Sequence, residues 1–171
     1  MVVQEDEPFV TVTTDIAAPP ETVWRVLTEF TRYAAWHPVL SLDGTEPELA
    51  PGTLLPFRLS GGTAGDQEFT AELTQVTPPG LLAWQGGIRD FFFGRHTFEL
   101  QGLPGNCTRF IDTERWSGTM AVSTITEHHA ALEKEYTRIA AALKQQAEHG
   151  PAAPGSQLQA TARSGGPGPR P

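Results

Sequence analysis

Apolar and polar residues alternate at the start of the chain. Val10, Val12, Thr14 and Ile16 alternate with polar residues, and this period of two predicts a strand from Phe9 to Ile16. Prolines at positions 19 and 20 end the strand and can open a helix, because proline is tolerated in the first helical turn.

Helical spacing follows the two prolines. Apolar residues from Val23 to Phe30 recur at intervals of three and four, which predicts a short helix that ends near Glu29. A second short helix is predicted from Thr31 to Trp36, and Pro38 closes it.

The middle of the chain has the pattern of β-structure. Turns rich in glycine and proline separate its apolar runs, and their close spacing favours antiparallel hairpins. The predicted strands are Leu54 to Leu59, Glu68 to Val76, Leu81 to Gln85, Phe91 to Gln101 and Thr108 to Trp116.

A long amphipathic helix is predicted from Val122 to Glu148. One stripe recurs at alternating steps of three and four, and most charged residues lie off it. The stripe consists of Ile125, His129, Leu132, Tyr136, Ile139, Leu143 and Ala147.

This order of elements predicts an α+β fold. A curved antiparallel sheet of about six or seven strands wraps on one long C-terminal helix, and two short helices follow the first strand. Such a sheet leaves a space between itself and the helix, where a ligand can bind. Residues 1–8 are predicted to be a polar lead, 9–149 the ligand-binding domain, and 150–171 a disordered tail rich in glycine and proline.

Length and charge narrow the function. The 171 residues suit one domain, and the net charge of −8 argues against nucleic acid and anionic membranes as partners. A single cysteine, Cys107, excludes an internal disulfide. We find no secretory signal and no apolar run of about 18 residues, so we expect a cytoplasmic protein that does not span a membrane.

Five segments resemble motifs of the SRPBCC superfamily, also called START-like or helix-grip proteins. They are Ile16–Trp24, Arg32–Pro38, Leu82–Gly86, Gly94–Leu100 and Thr108–Gly118, and the last three are similar to its polyketide cyclase/dehydrase-type branch. The resemblance covers residues 9–148. It implies cyclases, lipid carriers, stress proteins, chaperone activators and self-resistance proteins on one scaffold.

Strand parity selects the side chains that share a face. In the last predicted strand one face carries Phe110, Asp112, Glu114 and Trp116. In the strand before it one face carries His96 and Phe98, and we predict that both faces line the cavity. The resemblance to aromatic polyketide cyclases also places His96, Asp112 and Glu114 at cavity positions, and it matches Arg58 to their pocket arginine.

Three of these residues are candidates for catalysis. Burial beside Trp116 would raise the pKa of Glu114 and suit it to acid–base work, unless it pairs with Arg58 or Arg115. His96 can shuttle a proton, contact the ligand or be a satisfied core histidine. Arg58 can polarise a ligand carbonyl or lie solvated on the outer face.

Further contacts are predicted from aromatic residues and from the long helix. Trp36 and Trp84 are candidate ligand contacts, and His129 lies on the apolar stripe. His129 and Glu133 have the i, i+4 spacing of a metal pair but lack a third ligand, so no metal and no cofactor are expected.

Three functions remain open from the sequence. The first is a cyclase or dehydratase acting on a polyketide-like or lipid-like molecule, and the second is a carrier or sequestering protein for an apolar metabolite. The third is a chaperone co-regulator. We expect a small apolar ligand as partner, no nucleic acid, no membrane, and a monomer or homodimer.

Overall fold

A computed structural model describes residues 7–150. Most of the predicted polar lead and all of the predicted tail after Gly150 lie outside the described residues. In chain order the elements are β1 (Phe9–Ile16), α1 (Pro20–Thr28), a 3-10 helix (Phe30–Ala35), β2 (Leu40–Ser41), β3 (Leu54–Leu59), β4 (Gln67–Thr77), β5 (Leu81–Ile88), β6 (Phe92–Leu103), β7 (Cys107–Ser117) and α2 (Ala121–His149).

The strands form one antiparallel sheet of seven strands in the order β1-β7-β6-β5-β4-β3-β2. The first strand therefore pairs with the last, and the rest follow as successive hairpins. The register between β4 and β5 shifts by one residue between Leu73 and Gln75, as a β-bulge would shift it. This architecture confirms the predicted α+β helix-grip fold.

The long helix α2 covers the concave face of the sheet. Its buried side chains include Ile125, Tyr136, Ile139 and Leu143, and the helix packs on β1, β7 and α1. The predicted apolar stripe is therefore the face that meets the sheet. His129 is the exception, because its side chain is 44% exposed.

Two short elements differ from their sequence predictions. The second short helix is a 3-10 helix at Phe30–Ala35, where Phe30 and Tyr33 are buried. Strand β2 has only two residues and was not predicted, because so short a segment has no readable alternation. Among residues 7–150, no helix is both long and apolar enough to cross a membrane.

Candidate functional site

A cavity of about 320 Å³ lies between the concave face of the sheet and α2. Aromatic and aliphatic side chains form most of its wall. The aromatic and larger aliphatic members are Leu27, Tyr33, Trp36, Val39, Leu40, Leu59, Phe69, Trp84, Phe92, Phe98, Phe110, Trp116, Ile125, Leu132, Tyr136, Ile139 and Leu143.

Exposed residues in the wall mark the mouth of the cavity. They are Thr63 and Ala64, in the loop between β3 and β4, and His128 on α2. Glu135 of α2 ties the loop down, because its Oε2 accepts hydrogen bonds from the Thr63 backbone N–H at 2.5 Å and from the Thr63 hydroxyl at 2.9 Å.

The polar part of the wall comes from adjacent positions on β6 and β7. His96 on β6 lies directly opposite Trp84 on one side and Glu114 on the other. Phe98 lies opposite Asp112 in the next inward-facing row. Because inward residues of neighbouring strands are in contact, the register alone brings both carboxyl groups to the His96 ring.

The three groups form a connected cluster with one residue of α2. His96 Nε2 lies 2.5 Å from Asp112 Oδ1, and His96 Nδ1 lies 3.3 Å from Glu114 Oε2. The Tyr136 hydroxyl donates a hydrogen bond to the same Glu114 Oε2. We call His96, Asp112, Glu114 and Tyr136 the polar cluster.

Each carboxyl group of the polar cluster keeps one oxygen without a hydrogen bond from the described part of the chain. Asp112 is completely buried, and its Oδ2 has no partner among residues 7–150. Glu114 Oε1 likewise has no hydrogen bond there, and it lies beside Gly94. Both residues line the cavity, so a bound molecule can supply the missing partners.

Burial and charge act in opposite directions on His96. Burial disfavours the imidazolium, but Asp112 and Glu114 favour it more strongly and together raise the pKa of His96 above its usual 6.5. A protonated His96 can donate to Asp112 from Nε2 and to Glu114 from Nδ1. The arrangement therefore favours a positive charge on His96, between the two acids.

Glu114 is also displaced from its ordinary acidity. Burial raises the pKa of this carboxyl group, although the charge of His96 and the Tyr136 hydrogen bond partly offset the rise. The pKa of Tyr136 is raised well above 10.0, first by burial and then by Glu114 and Asp112, so its hydroxyl stays a donor. A carboxyl group with a raised pKa can both take and give a proton near neutral pH.

Gly94 supplies the space that Glu114 occupies. A Cβ atom at this position would lie 2.5 Å from Glu114 Oε1 and 3.3 Å from the indole nitrogen of Trp116. Any larger residue at 94 would therefore force the carboxyl group to move.

A second histidine, His37, lies in the cavity wall on the short segment that leads to β2. Its Nδ1 accepts backbone N–H bonds from Val39 at 3.2 Å and Leu40 at 2.9 Å. The ring stacks on Tyr33 with centroids 5.1 Å apart. Burial, together with the charges of His96 and Arg138, lowers the pKa of His37 to about 3.

Most of the predicted site residues meet at the cavity. Trp36, Trp84, His96, Phe98, Phe110, Asp112, Glu114 and Trp116 all line it. This places the two predicted catalytic residues His96 and Glu114 in direct contact. It also places Trp84 and Phe98 against the His96 ring, at centroid distances of 5.4 Å and 4.2 Å.

Arg58 lies outside the cavity, on the opposite face of the sheet. Its side chain is 56% exposed and pairs with Asp43 and Glu68, each at 3.3 Å. The reason is strand parity, because Leu55 and Phe57 on β3 are buried and therefore direct Arg58 outward. The expectation that Arg58 polarises a ligand carbonyl is not compatible with this position.

His129 also lies outside the cavity. Its Nε2 is 3.1 Å from the carbonyl oxygen of Phe9, at the start of the edge strand β1, and its Nδ1 is 3.8 Å from Glu133. His129 therefore meets the backbone at the start of β1, whereas Ile125, one turn earlier on the same stripe, lines the cavity. No group of three residues that could hold a metal ion occurs within residues 7–150.

Two site residues were missed from the sequence. Tyr136 belonged to the predicted apolar stripe, and its hydroxyl was the available signal. His37 lay within the Arg32–Pro38 motif, but nothing in the pattern indicated which ring nitrogen the backbone would occupy.

Sequence comparison identifies the family. The profile of the family described as polyketide cyclase / dehydrase and lipid transport matches residues 8–148. The chain belongs to this family. The match spans every strand and nearly all of α2, so it confirms the resemblance found in the sequence motifs. Comparison with curated proteins gives no match.

Solved structures share the fold of this polyketide cyclase/dehydrase-family chain at low identity. The ZhuI aromatase/cyclase from Streptomyces sp. R1128 is 16% identical with a TM-score of 0.64, over 82% of this chain and 93% of that one. The di-domain aromatase/cyclase BexL from the BE-7585A biosynthetic pathway is 16% identical with a TM-score of 0.66, over 87% of this chain and 52% of that one. Ara h 8.0201 is 10% identical with a TM-score of 0.64, over 82% and 97%.

Proposed function

We propose that the cavity binds a neutral, mainly apolar organic molecule that carries a carbonyl group, and that Glu114 transfers protons in its cyclisation or dehydration. The ligand is polyketide-like or lipid-like. The observation that carries the proposal is Glu114 itself, a largely buried carboxyl group with one oxygen fixed by the protein and the other without a hydrogen bond in the wall of a mainly apolar cavity.

The size of the cavity favours a small ring system. A cavity of about 150 Å³ can hold one benzene ring, so a space of about 320 Å³ accommodates roughly two or three fused rings. Flat aromatic walls support the same class of ligand. Phe98 contacts both Trp84 and Phe110 along one side, with centroid distances of 4.6 Å and 6.2 Å.

The charges of the wall favour a neutral ligand. Asp112, Glu114 and Glu135 all line the cavity, whereas no lysine or arginine of the described chain does. The imidazolium form of His96 is already paired with Asp112 and Glu114, so a ligand carboxylate or phosphate would enter without a free cation to pair with, at a high cost in desolvation. A ketone, an ether or a phenol carries no such cost.

Glu114 has the geometry of a group that first accepts and then returns a proton. Its Oε2 is held by Tyr136 and His96, which leaves Oε1 to face the ligand. In a β-hydroxy ketone, Oε1 takes the proton on the carbon next to the carbonyl. The electron pair of that C–H bond forms the C=C bond, and the C–O bond breaks. The leaving hydroxide receives the proton from Glu114 and departs as water.

Asp112 and His96 set the acidity of Glu114 in this scheme. Asp112 favours the protonated form of His96, and in that form the imidazolium stabilises the carboxylate form of Glu114 through the 3.3 Å contact. His96 therefore acts as a positioning residue, unless a ligand displaces one of its carboxyl partners.

The test is dehydration of the β-hydroxy ketone formed from naphthaldehyde and acetone, followed by the absorbance of the conjugated enone. Glu114→Gln keeps the shape of the side chain and removes its ionisation. We expect turnover to fall about 10²-fold or more, the scale of lost general acid–base catalysis. Affinity, measured by quenching of tryptophan fluorescence, should change far less.

Glu99→Gln is the matched control, because Glu99 is exposed on the outer face of β6. It should leave turnover unchanged. Equal turnover in the wild-type protein and in Glu114→Gln would exclude the catalytic role of Glu114.

A non-catalytic carrier or sequestering protein is the second candidate. The aromatic and aliphatic wall supports it, because such a surface binds flat molecules without any proton transfer. Saturable binding of the naphthyl ketone without turnover in the wild-type protein would favour this function over catalysis.

A further inference from the structure

We propose that His37 is the ligand-orienting residue of the cavity and that its Nε2–H donates a hydrogen bond to a carbonyl oxygen of the bound molecule. The proposal rests on the proposed function, since it requires that the cavity binds a carbonyl compound. It adds a second polar contact point, on the side of the cavity formed by the 3-10 helix and β2.

The backbone selects one tautomer of His37. Its Nδ1 accepts hydrogen bonds from the N–H groups of Val39 and Leu40, so this nitrogen carries a lone pair and no proton. In the neutral ring the proton must then be on Nε2. The lowered pKa agrees with this geometry, because a proton on Nδ1 would face two N–H groups.

Nε2 is free to contact a ligand. Within residues 7–150, no side chain and no carbonyl group hydrogen-bonds to it, although the ring is only half-buried and lines the cavity. Tyr33 and Trp36 pack on the faces and edge of the ring, at centroid distances of 5.1 Å and 5.2 Å, and hold it in place. A fixed, neutral donor in an apolar wall favours an uncharged acceptor such as a ketone oxygen.

The consequence for the ligand is a defined orientation. A carbonyl held at His37 fixes one end of a flat molecule, and the rest extends along Trp84 and Phe98 toward the polar cluster. Orientation of this kind lowers the barrier to a later step at Glu114, because the reacting atoms are already placed. The alternative is that His37 only caps the turn into β2, in which case Nε2 has no role.

Two substitutions separate capping from ligand binding. In His37→Asn the side-chain oxygen can still accept the Val39 and Leu40 N–H bonds, but no donor reaches the position of Nε2. In His37→Gln an amide N–H can reach that position. The probes are fluorenone and fluorene, which have the same ring system, but only fluorenone has an acceptor oxygen. Affinities are measured by tryptophan fluorescence and by calorimetry.

We expect His37→Asn to weaken fluorenone binding by about 3- to 10-fold, the effect of one lost hydrogen bond, and to leave fluorene binding unchanged. His37→Gln should recover part of the preference for fluorenone. Unchanged fluorenone affinity in His37→Asn, or an equal loss for both probes, would overturn the role of His37 and leave the proposed function standing. Failure of both probes to bind the wild-type protein would overturn both proposals.

Discussion

The two histidines of the cavity wall are held in opposite charge states by their neighbours. His96 lies between two carboxyl groups, which favour its protonated form. His37 is half-buried against aromatic rings and accepts two backbone N–H bonds, which favour its neutral form. The same side chain therefore serves as a cation at one point of the wall and as a neutral donor at another, because its partners differ.

Because the two pKa values shift in opposite directions, the free energy of unfolding is expected to be largest near pH 6.5 and to decrease at both higher and lower pH. For His96 the contribution to the free energy of unfolding is complete below its usual pKa of 6.5 and is lost as the pH rises through its higher folded pKa. For His37 the contribution is complete above 6.5 and is lost as the pH falls toward about 3. NMR titration of the ring protons should give a midpoint above 6.5 for His96 and far below it for His37.

Two variants test which histidine causes the loss of stability at alkaline pH and which causes the loss at acid pH. Asp112→Asn should flatten the loss of stability on the alkaline side, because it removes a group that raises the pKa of His96. His37→Asn should flatten part of the loss on the acid side. A His96 midpoint below 6.5 in the wild-type protein would show that burial outweighs the two carboxyl groups.

At the scale of the elements, β6 and β7 supply nearly all of the polar cluster, and α2 supplies only Tyr136. The placement depends on register, since a slip of one residue would turn His96 and Glu114 to the outer face. Gly94 adds a second requirement on β6, namely an absent side chain opposite Trp116. The position of the polar cluster therefore depends mainly on how β6 and β7 pair with each other.

Gly94→Ala tests this requirement. The added methyl group would lie 2.5 Å from Glu114 Oε1 and 3.3 Å from the Trp116 indole nitrogen, so the carboxyl group must shift from its place beside Tyr136 and His96. We expect a loss of about 1–3 kcal/mol in the free energy of unfolding, and a marked fall in the pKa of His96 as Glu114 moves away. Chemical denaturation and NMR titration measure the two effects.

Gly102→Ala is the matched control on the same strand. A Cβ at 102 would approach only Pro20, at an ordinary contact distance of 3.7 Å. It should leave the pKa of His96 unchanged. If Gly94→Ala behaves in the same way, Glu114 is free to move and is not held as described.

Much of this arrangement can be predicted from the sequence, because alternate residues of a strand lie on the same face of the sheet. Phe110, Asp112, Glu114 and Trp116 were assigned to one face by parity alone, and the structure confirms the assignment. Applied to β3, the same rule turns Arg58 outward with buried Phe57 as its neighbour, whereas the family resemblance had suggested the cavity. For Arg58, strand parity therefore predicts the observed position, and the family resemblance does not.

Other features of the site could not be predicted, because they depend on how elements approach each other. The bond from Tyr136 to Glu114 joins residues 22 positions apart on different elements. The outward position of His129 depends on where α2 crosses β1, and helical periodicity contains no information about the partner of each turn. The tautomer of His37 depends on two backbone N–H groups whose direction is set by a local turn.

At the scale of the whole molecule, negative charge extends from the surface into the cavity. The chain has a formal net charge of −8, and three carboxyl groups line a cavity to which the described chain contributes no lysine or arginine. Surface and interior therefore disfavour the same ligands. An anion is repelled during approach, and once inside it finds the His96 cation already paired with Asp112 and Glu114.

We therefore expect selection against charge in ligands of equal shape. A fluorenone carboxylate should bind at least about tenfold more weakly than fluorenone at neutral pH. Added salt should reduce the difference in affinity between the two ligands only in part, because salt screens charges inside a cavity weakly. Competition between the two probes measures it directly. Tighter binding of the carboxylate would indicate a cationic contact and would contradict the neutral-ligand proposal.

The pairing of the first strand with the last has a consequence for synthesis of the chain. Thr11 on β1 and Thr113 on β7 are hydrogen-bonded across a separation of 102 residues. At a translation rate of about 5–20 residues per second, roughly 5–20 s pass between the synthesis of β1 and the synthesis of its partner strand β7. During that interval Val10 and Ile16, both fully buried later, have no sheet to cover them. Pairing of β1 with β7, and with it closure of the cavity wall, can therefore occur only after most of the chain has been made.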